Sequence, residues 1–203
     1  MKLYYLPGAC SLAAHIALKW AGLPHDLHKL ERDRLKSPEY LAVNPLGAVP
    51  ALEEDGWVLT QNFAILEYLA EKAPHAGLLG DGSARARAEA RRWLGFINSD
   101  VHKTFSLLFG AQRYVAAETT QEELRASVAK MLRGLLGVVD THLKNRSYLV
   151  GDKPCVADAY LFVVLRWAHA KALDLAGLDA LDAFFKRMQA DPAVQAAMRE
   201  EGL

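Results

Sequence analysis

Cys10 is a thiol at a place in the chain where chemistry is easiest to support. It stands in Tyr4-Tyr5-Leu6-Pro7-Gly8-Ala9-Cys10-Ser11, between a short apolar run and a segment with helical periodicity. A cysteine at a helix start meets backbone N–H groups with no intrahelical partner and the positive end of the macrodipole. Both favour the thiolate, which is the nucleophilic form. The competing reading is a small buried hydrophobe, because free cysteines are commonly buried and inert.

Four other positions carry the same two-sided reading. Val49-Pro50 precedes a strand pattern. Proline is tolerated at such margins as a plain turn, whereas a cis bond there would present the Val49 backbone to a ligand. Gln61-Asn62 opens a helical pattern. Asn62 reads first as an N-cap, and second as part of a carboxylate-binding helix start. His102-Lys103 lies in a long helical stretch where Gly95, Ser99, His102 and Ser106 share a face. A lone histidine there is ordinarily a surface or satisfied core residue, and a proton acceptor in the rarer case. Cys155-Val156-Ala157-Asp158 has capping-box spacing, with a weakly accepting sulfur in the first place.

The elements that must position these residues differ between the two halves of the chain. Up to about residue 75, strand-like and helix-like signals alternate. Strands are expected at Lys2 to Tyr5, Asp26 to Leu30, Ala51 to Glu53 and Trp57 to Leu59, the last two joined by an Asp55-Gly56 turn. Helices are expected at Ser11 to Ala21, stopped by Gly22, and at Gln61 to Lys72. The order suggests a small mixed sheet with helices packed on it. Pro74 to Gly82 reads as a linker. Beyond it every segment is helical: 83–109, 122–143, 157–172, 178–189 and 192–200. The stretch from Ala157 to Ala172 is apolar on most sides, as a central buried helix would be. The chain therefore divides into an α/β domain, residues 1–76, and an all-α domain, residues 84–203.

Composition narrows the function classes. The 203 residues carry 24 basic and 24 acidic side chains, a formal net charge of zero. Such a balance offers no general attraction to nucleic acid or to an anionic membrane. The longest apolar segment contains Arg166 and is too short to span a bilayer. Two cysteines cannot make a disulfide framework, and no Cys/His spacing of a zinc motif is present. Cys10 and His15 do not share a helical face, so no metal is expected. With no secretory signal visible, a reducing cytoplasm is the default location.

Taken in register, five blocks resemble the cytosolic glutathione transferases, and most closely the bacterial beta class. They are Met1 to Tyr5 with Pro7 to Leu12, Asn44 to Leu52, Leu59 to Leu66, His102 to Phe105, and Ala157 to Phe162. The resemblance covers nearly the whole chain. It implies a thioredoxin-like N-terminal domain, an all-helical C-terminal domain and a homodimer. It also implies glutathione as co-substrate, with a hydrophobic electrophile as its partner. Cys10 would face the glutathione sulfur, and Val49, before a cis Pro50, would pair with the cysteinyl backbone. Gln61 and Asn62 would hold the γ-glutamyl end, and Lys36 or Arg34 the glycine carboxylate. His102, with Lys103 beside it and Ser99 on the same wall, would approach the sulfur. Leu107 and Leu108 would line the electrophile pocket. Ser11 would be an auxiliary donor, and Tyr4 and Tyr5 structural. The chain departs from the family pattern at Gln61-Asn62, at Gly95 and at Cys155. Two activities stay open: conjugation, or thiol–disulfide exchange and peroxide reduction through Cys10. A non-catalytic ligand-binding scaffold of the same fold is the third possibility.

Overall fold

The computed structural model describes residues 1–203. Four strands form one sheet: β1 (Lys2–Tyr5), β2 (Asp26–Lys29), β3 (Ala51–Glu54) and β4 (Trp57–Thr60), in the order β2-β1-β3-β4. β1 runs parallel to β2, with Leu3 opposite Leu27, and antiparallel to β3, with Leu3 opposite Leu52. The β3–β4 hairpin turns at Asp55 and Gly56, both at positive φ, as a two-residue turn matched to strand twist requires.

Helix α1 (Ser11–Ala21) connects β1 to β2 and ends at Gly22 in the left-handed conformation. Helix α3 (Asn62–Lys72) follows β4. Between β2 and β3 lies a helix the periodicity did not announce, α2 (Pro38–Val43). Its signals are local, because Ser37 accepts the Tyr40 N–H and Pro38 opens the first turn.

The rest of the chain is helical: α4 (Ala84–Phe96), α5 (Lys103–Phe109), α6 (Glu118–Leu143), α7 (Val156–Ala170), α8 (Asp179–Ala190) and α9 (Pro192–Glu201). Helix α6 starts four residues ahead of the sequence expectation. Helices α4 and α5 are joined without a break by a π-helical segment, Ile97–His102. Trp93, Ile97, Val101 and Phe105 are spaced by four, and all are buried. In an α-helix that spacing drifts by about 40° per step. The wider π turn takes up part of the drift and keeps the four on one face. Such segments are common at functional sites.

The two halves share one core. Eight consecutive residues, Ser11 to Leu18, are buried, because α1 is enclosed by the sheet, α3, α7 and α9. Tyr160, Phe162 and Leu165 of α7 join the same apolar cluster as Leu12 and Ile16.

Helix α7 begins inside this core, so its first N–H groups need protein partners. Asp158, fully buried, accepts the Cys155 N–H at 2.8 Å and the Leu149 N–H at 2.9 Å. The reciprocal capping contact to the Cys155 sulfur is weak, since the Asp158 N–H bonds to the Cys155 carbonyl at 3.0 Å. Burial lifts the Asp158 carboxyl to about 6, against the pull of these donors. Asp158→Ala is expected to remove about 2–5 kcal/mol by orphaning two buried donors. Cys155→Ser is expected to add on the order of 1 kcal/mol through a stronger cap. Urea denaturation reads both, and an unchanged midpoint for Asp158→Ala would refute the first.

Candidate active site

Cys10 occupies the N-cap position of α1, at the end of the turn that leaves β1. That turn is pinned from three directions. The Ser11 hydroxyl donates to the Leu6 carbonyl and accepts the Leu6 N–H, so it serves the turn and not a ligand. The Gly8 N–H donates to Glu201 Oε2 at 2.9 Å, and the Gly8 carbonyl accepts Trp167 Nε1–H at 2.8 Å. Gly8 sits at φ +70°, a conformation that favours glycine. Both contacts come from the helical half, so α7 and α9 set where the thiol stands.

The thiol itself corrects a sequence-based expectation. The backbone N–H groups of Cys10 and Ser11 pull its pKa down, as a helix start should. Burial outweighs them and pushes the thiol up to about 12. Cys10 is therefore protonated at neutral pH, and its Sγ donates to the Val49 carbonyl at 3.3 Å.

The Val49-Pro50 bond is cis. Its position is set from behind, where the Ala48 carbonyl accepts both Tyr40 Oη–H at 2.7 Å and Asn44 Nδ2–H at 2.6 Å. The Val49 N–H makes no hydrogen bond within the protein. Lys36 lies on the same loop, where its exposed ammonium donates to the Leu46 carbonyl at 2.8 Å. Gly47 is required there, because a Cβ would fall 2.4 Å from the Leu35 carbonyl oxygen. Arg34 is exposed and makes no side-chain hydrogen bond.

The start of α3 differs from expectation by one residue. Gln61, exposed and at φ +73°, is the N-cap, with no capping bond from its side chain. Asn62 is the first helical residue and is buried, and neither its Oδ1 nor its Nδ2 has a protein partner. A buried amide left unpaired costs on the order of 1–3 kcal/mol. The Tyr160 hydroxyl of α7 lies close enough to this amide to feel it.

From the helical half come His102, at the end of the π segment, and two residues of α7 that carried no role in the sequence reading. His102 Nδ1 bonds to Tyr160 Oη, and that hydroxyl donates to Asn98 Oδ1 at 3.3 Å. The imidazole also stands edge-on to Trp167, with centroids 4.8 Å apart. Burial, helped by the neighbouring Lys103 charge, lowers His102 to about 4, so the ring is neutral. Tyr160 is held fully protonated by burial, and a charge on Cys10 would raise it further. Tyr160 therefore links the Cys10 neighbourhood to His102. Tyr160 and Trp167 are seven apart on α7, a same-face spacing that marks them as a pair facing one place.

Not every candidate converges. Ser99 is exposed, and its hydroxyl is spent on the Gly95 carbonyl at 2.9 Å and on Asp100 Oδ2 at 2.6 Å. Lys103 is exposed and unpaired. Leu108 lines a cavity of about 390 Å³ with Arg125, Lys171 and Leu173, a wall that includes neither Cys10 nor His102. A concavity of about 860 Å³ lies against Pro74–Gly82 and Val150–Lys153, also without Cys10. The aromatic surface beside His102 consists of Trp167, Phe105 and the exposed Phe109, with Phe109 at 5.5 Å from the Trp167 ring.

Comparison with known proteins gives this arrangement its family. The profile described as glutathione S-transferase, N-terminal domain, matches residues 8–72, and that described as glutathione S-transferase, C-terminal domain, matches residues 101–192. Glutathione S-transferase GST-4.5 of Xanthomonas campestris pv. campestris is 54% identical over 203 residues, covering 100% of both chains. The solved glutathione S-transferase of Xylella fastidiosa superposes with a TM-score of 0.97 at 51% identity, over 100% of this chain and 98% of that one. A bacterial beta class enzyme of Sphingomonas chungbukensis superposes at 0.88 with 37% identity, and a sphingomonad glutathione S-transferase complexed with glutathione at 0.88 with 39%. Each of these two matches covers 100% of both chains. A four-stranded sheet with its helices, followed by a helical domain, is the fold that carries these matches, and the chain belongs to the glutathione S-transferase family.

Proposed function

We propose that the chain binds glutathione against the Cys10 turn and joins its sulfur to an electrophilic carbon of a hydrophobic small molecule. The observation that carries this reading is the Cys10 S–H, which donates to the Val49 carbonyl at 3.3 Å within an enclosed turn. A thiol raised to about 12 by burial is a hydrogen-bond donor at neutral pH, not a nucleophile. It suits a partner whose sulfur must be held as thiolate, and it disfavours direct attack on a disulfide.

The unpaired Val49 N–H and the Val49 carbonyl receive the cysteinyl backbone in strand-like fashion. With that carbonyl taken, the Cys10 S–H is free to donate to the glutathione sulfur. Gln61, the Asn62 amide and the N–H groups that open α3 receive the γ-glutamyl carboxylate. Lys36 keeps donors free for the glycine carboxylate, and Lys103 and Ser99 form the outer rim. The Asn98–Tyr160–His102 chain has Tyr160 donating to Asn98 and His102 Nδ1–H donating to Tyr160, which leaves Nε2 as an acceptor. With the ring lowered to about 4, the glutathione thiol proton passes to water, and the neutral His102 and the Cys10 S–H flank the thiolate left behind. The C–S bond then forms and the leaving group departs with its electron pair. Phe109 and Trp167 supply the apolar wall for the electrophile, in place of Leu107 and Leu108. No step calls on a metal.

Two further proposals concern the setting. Leu46, Trp57, Met131 and Val138 are large apolar side chains left exposed, and Met131 and Val138 are seven apart on α6. A second copy of the chain is the partner proposed for such a surface. No helix is long and apolar enough to cross a membrane, and both cysteines are free, which supports a reducing cytoplasm.

Cys10→Ser keeps a donor to sulfur and is expected to retain most conjugation of a chlorodinitrobenzene-type acceptor. Cys10→Ala loses the donor and should fall roughly 10- to 100-fold, the worth of one hydrogen bond to a charged group. A hydroxyethyl-disulfide assay separates the rival. If disulfide reduction is the main activity and both variants abolish it, the redox reading replaces this one. His102, lowered to about 4, should show a proton NMR titration midpoint well below 6, and conjugation should show no histidine inflection between pH 5.5 and 8. The sign follows from the lowered value. The unfolded chain binds the extra proton between about 4 and 6.5, so the stability contributed by neutral His102 is complete above 6.5 and lost as pH falls toward 4. Light scattering at micromolar concentration should return twice the chain mass.

A further inference from the structure

His15 lies on α1 with its side chain fully buried and a carboxylate oxygen against each ring nitrogen. Glu201 Oε1 is 3.1 Å from Nδ1, and Glu200 Oε2 is 2.9 Å from Nε2. A neutral imidazole has one N–H and one lone pair. Glu201 is itself fully buried, and its other oxygen is already occupied by the Gly8 N–H. With Nδ1–H donated to Glu201, the Nε2 lone pair faces the Glu200 carboxylate. Two acceptors at that separation need a proton or a metal cation between them.

A second imidazole stands at the same place. The His25 ring is edge-on to His15, with centroids 5.7 Å apart. Its Nδ1 is 2.7 Å from the Leu23 carbonyl, which fixes Nδ1 as the donor and leaves Nε2 with its lone pair. One ligand-capable atom from each of His15, His25 and Glu200 lies within 4.8 Å of the other two. The outer contacts are those a metal-binding histidine ordinarily has: a carboxylate behind one ring and a backbone carbonyl behind the other.

We propose that His15, His25 and Glu200 form a binding site for a divalent transition cation of the Zn²⁺ type, with Glu201 and the Leu23 carbonyl as its outer shell. Two imidazoles and one carboxylate match the donor preference of Zn²⁺, and solvent at the exposed Glu200 side supplies a fourth ligand. Tetrahedral ligand atoms on Zn²⁺ lie about 3.3 Å apart, so closing the set asks the outer members to move by about 1 Å. Lys19 Nζ, 2.6 Å from Glu200 Oε1, is the resident competitor. It sets the affinity below that of a dedicated structural zinc site. The cation ties α1 to α9 and, through Glu201 and Gly8, to the turn that carries Cys10. The three ligands come from separate segments, which is why motif spacing did not announce them.

The test uses the full chain. Calorimetric titration with Zn²⁺ should give one site per chain, and His25→Ala and Glu200→Gln should each weaken it at least 10-fold. Both residues are partly or largely exposed and lie outside the core, so the variants keep the fold. Zn²⁺ at about 100 times its Kd should raise the wild-type Tm by about 5–10 °C, and the Tm of His25→Ala far less. Co²⁺ should give visible ligand-field bands that His25→Ala abolishes. Absence of a Zn²⁺ site in the wild-type chain would overturn the proposal and leave His15 hydrogen-bonded between two carboxylates. Binding that neither variant changes would overturn it as well, and would assign the metal to the thiols or to surface histidines.

Discussion

The turn between β1 and α1 is held by residues about 160 and 190 positions further along the chain. Gly8 gives its carbonyl to Trp167 and its N–H to Glu201, and Cys10 is two residues away. The thiol's position is thus a property of the whole molecule. The α/β half supplies the turn and the cis Val49-Pro50 segment opposite it, and the helical half fixes the angle at which they meet. The same α7 face that reaches Gly8 through Trp167 reaches His102 through Tyr160. One helix therefore references both chemical groups to a common frame.

Burial governs the electrostatics of that frame. A helix start favours an anionic sulfur, and the local N–H groups act on Cys10 in that direction, yet enclosure dominates and keeps the proton on. The same enclosure strips His102 of its proton. A neutral donor thiol and a neutral imidazole are a pair that tolerates a third, negatively charged sulfur between them. A second thiolate would repel it. The site is tuned by exclusion of water more than by any one charge.

Much of this was legible in the chain. Gly22 after an eleven-residue apolar-periodic stretch marks the end of α1, and Asp55-Gly56 between Ala51-Leu52-Glu53 and Trp57-Val58-Leu59 marks the hairpin. The fourfold spacing from Trp93 to Phe105 marks one long helix but not its π segment, because an α-helical apolar face is wide enough to hold all four. What was not legible has a common cause. The protonation of Cys10 depends on neighbours from other elements, and a helix start alone points the wrong way. Tyr160 finds His102 across 58 residues, and His15 finds Glu200 and Glu201 across more than 180. The cap of α3 is displaced from Asn62 to Gln61 because Gln61 adopts a positive φ that its residue type does not advertise. Local patterns report elements well, and report poorly on what those elements do to each other's protons.

The enclosure of α1 also bears on how the chain is made. When the first 72 residues have left the ribosome, the sheet, α1 and α3 are complete as sequence, but the flank of α1 destined for α7 and α9 is bare. Glu201 emerges roughly 6–26 s later at ordinary synthesis rates of about 5–20 residues per second. For that interval Leu12, Ile16 and the Cys10 sulfur are presented to solvent on an unfinished nascent chain. Docking of α9 is the event that closes the core, and any truncation that removes α9 leaves this greasy flank permanently open to chaperones and to aggregation.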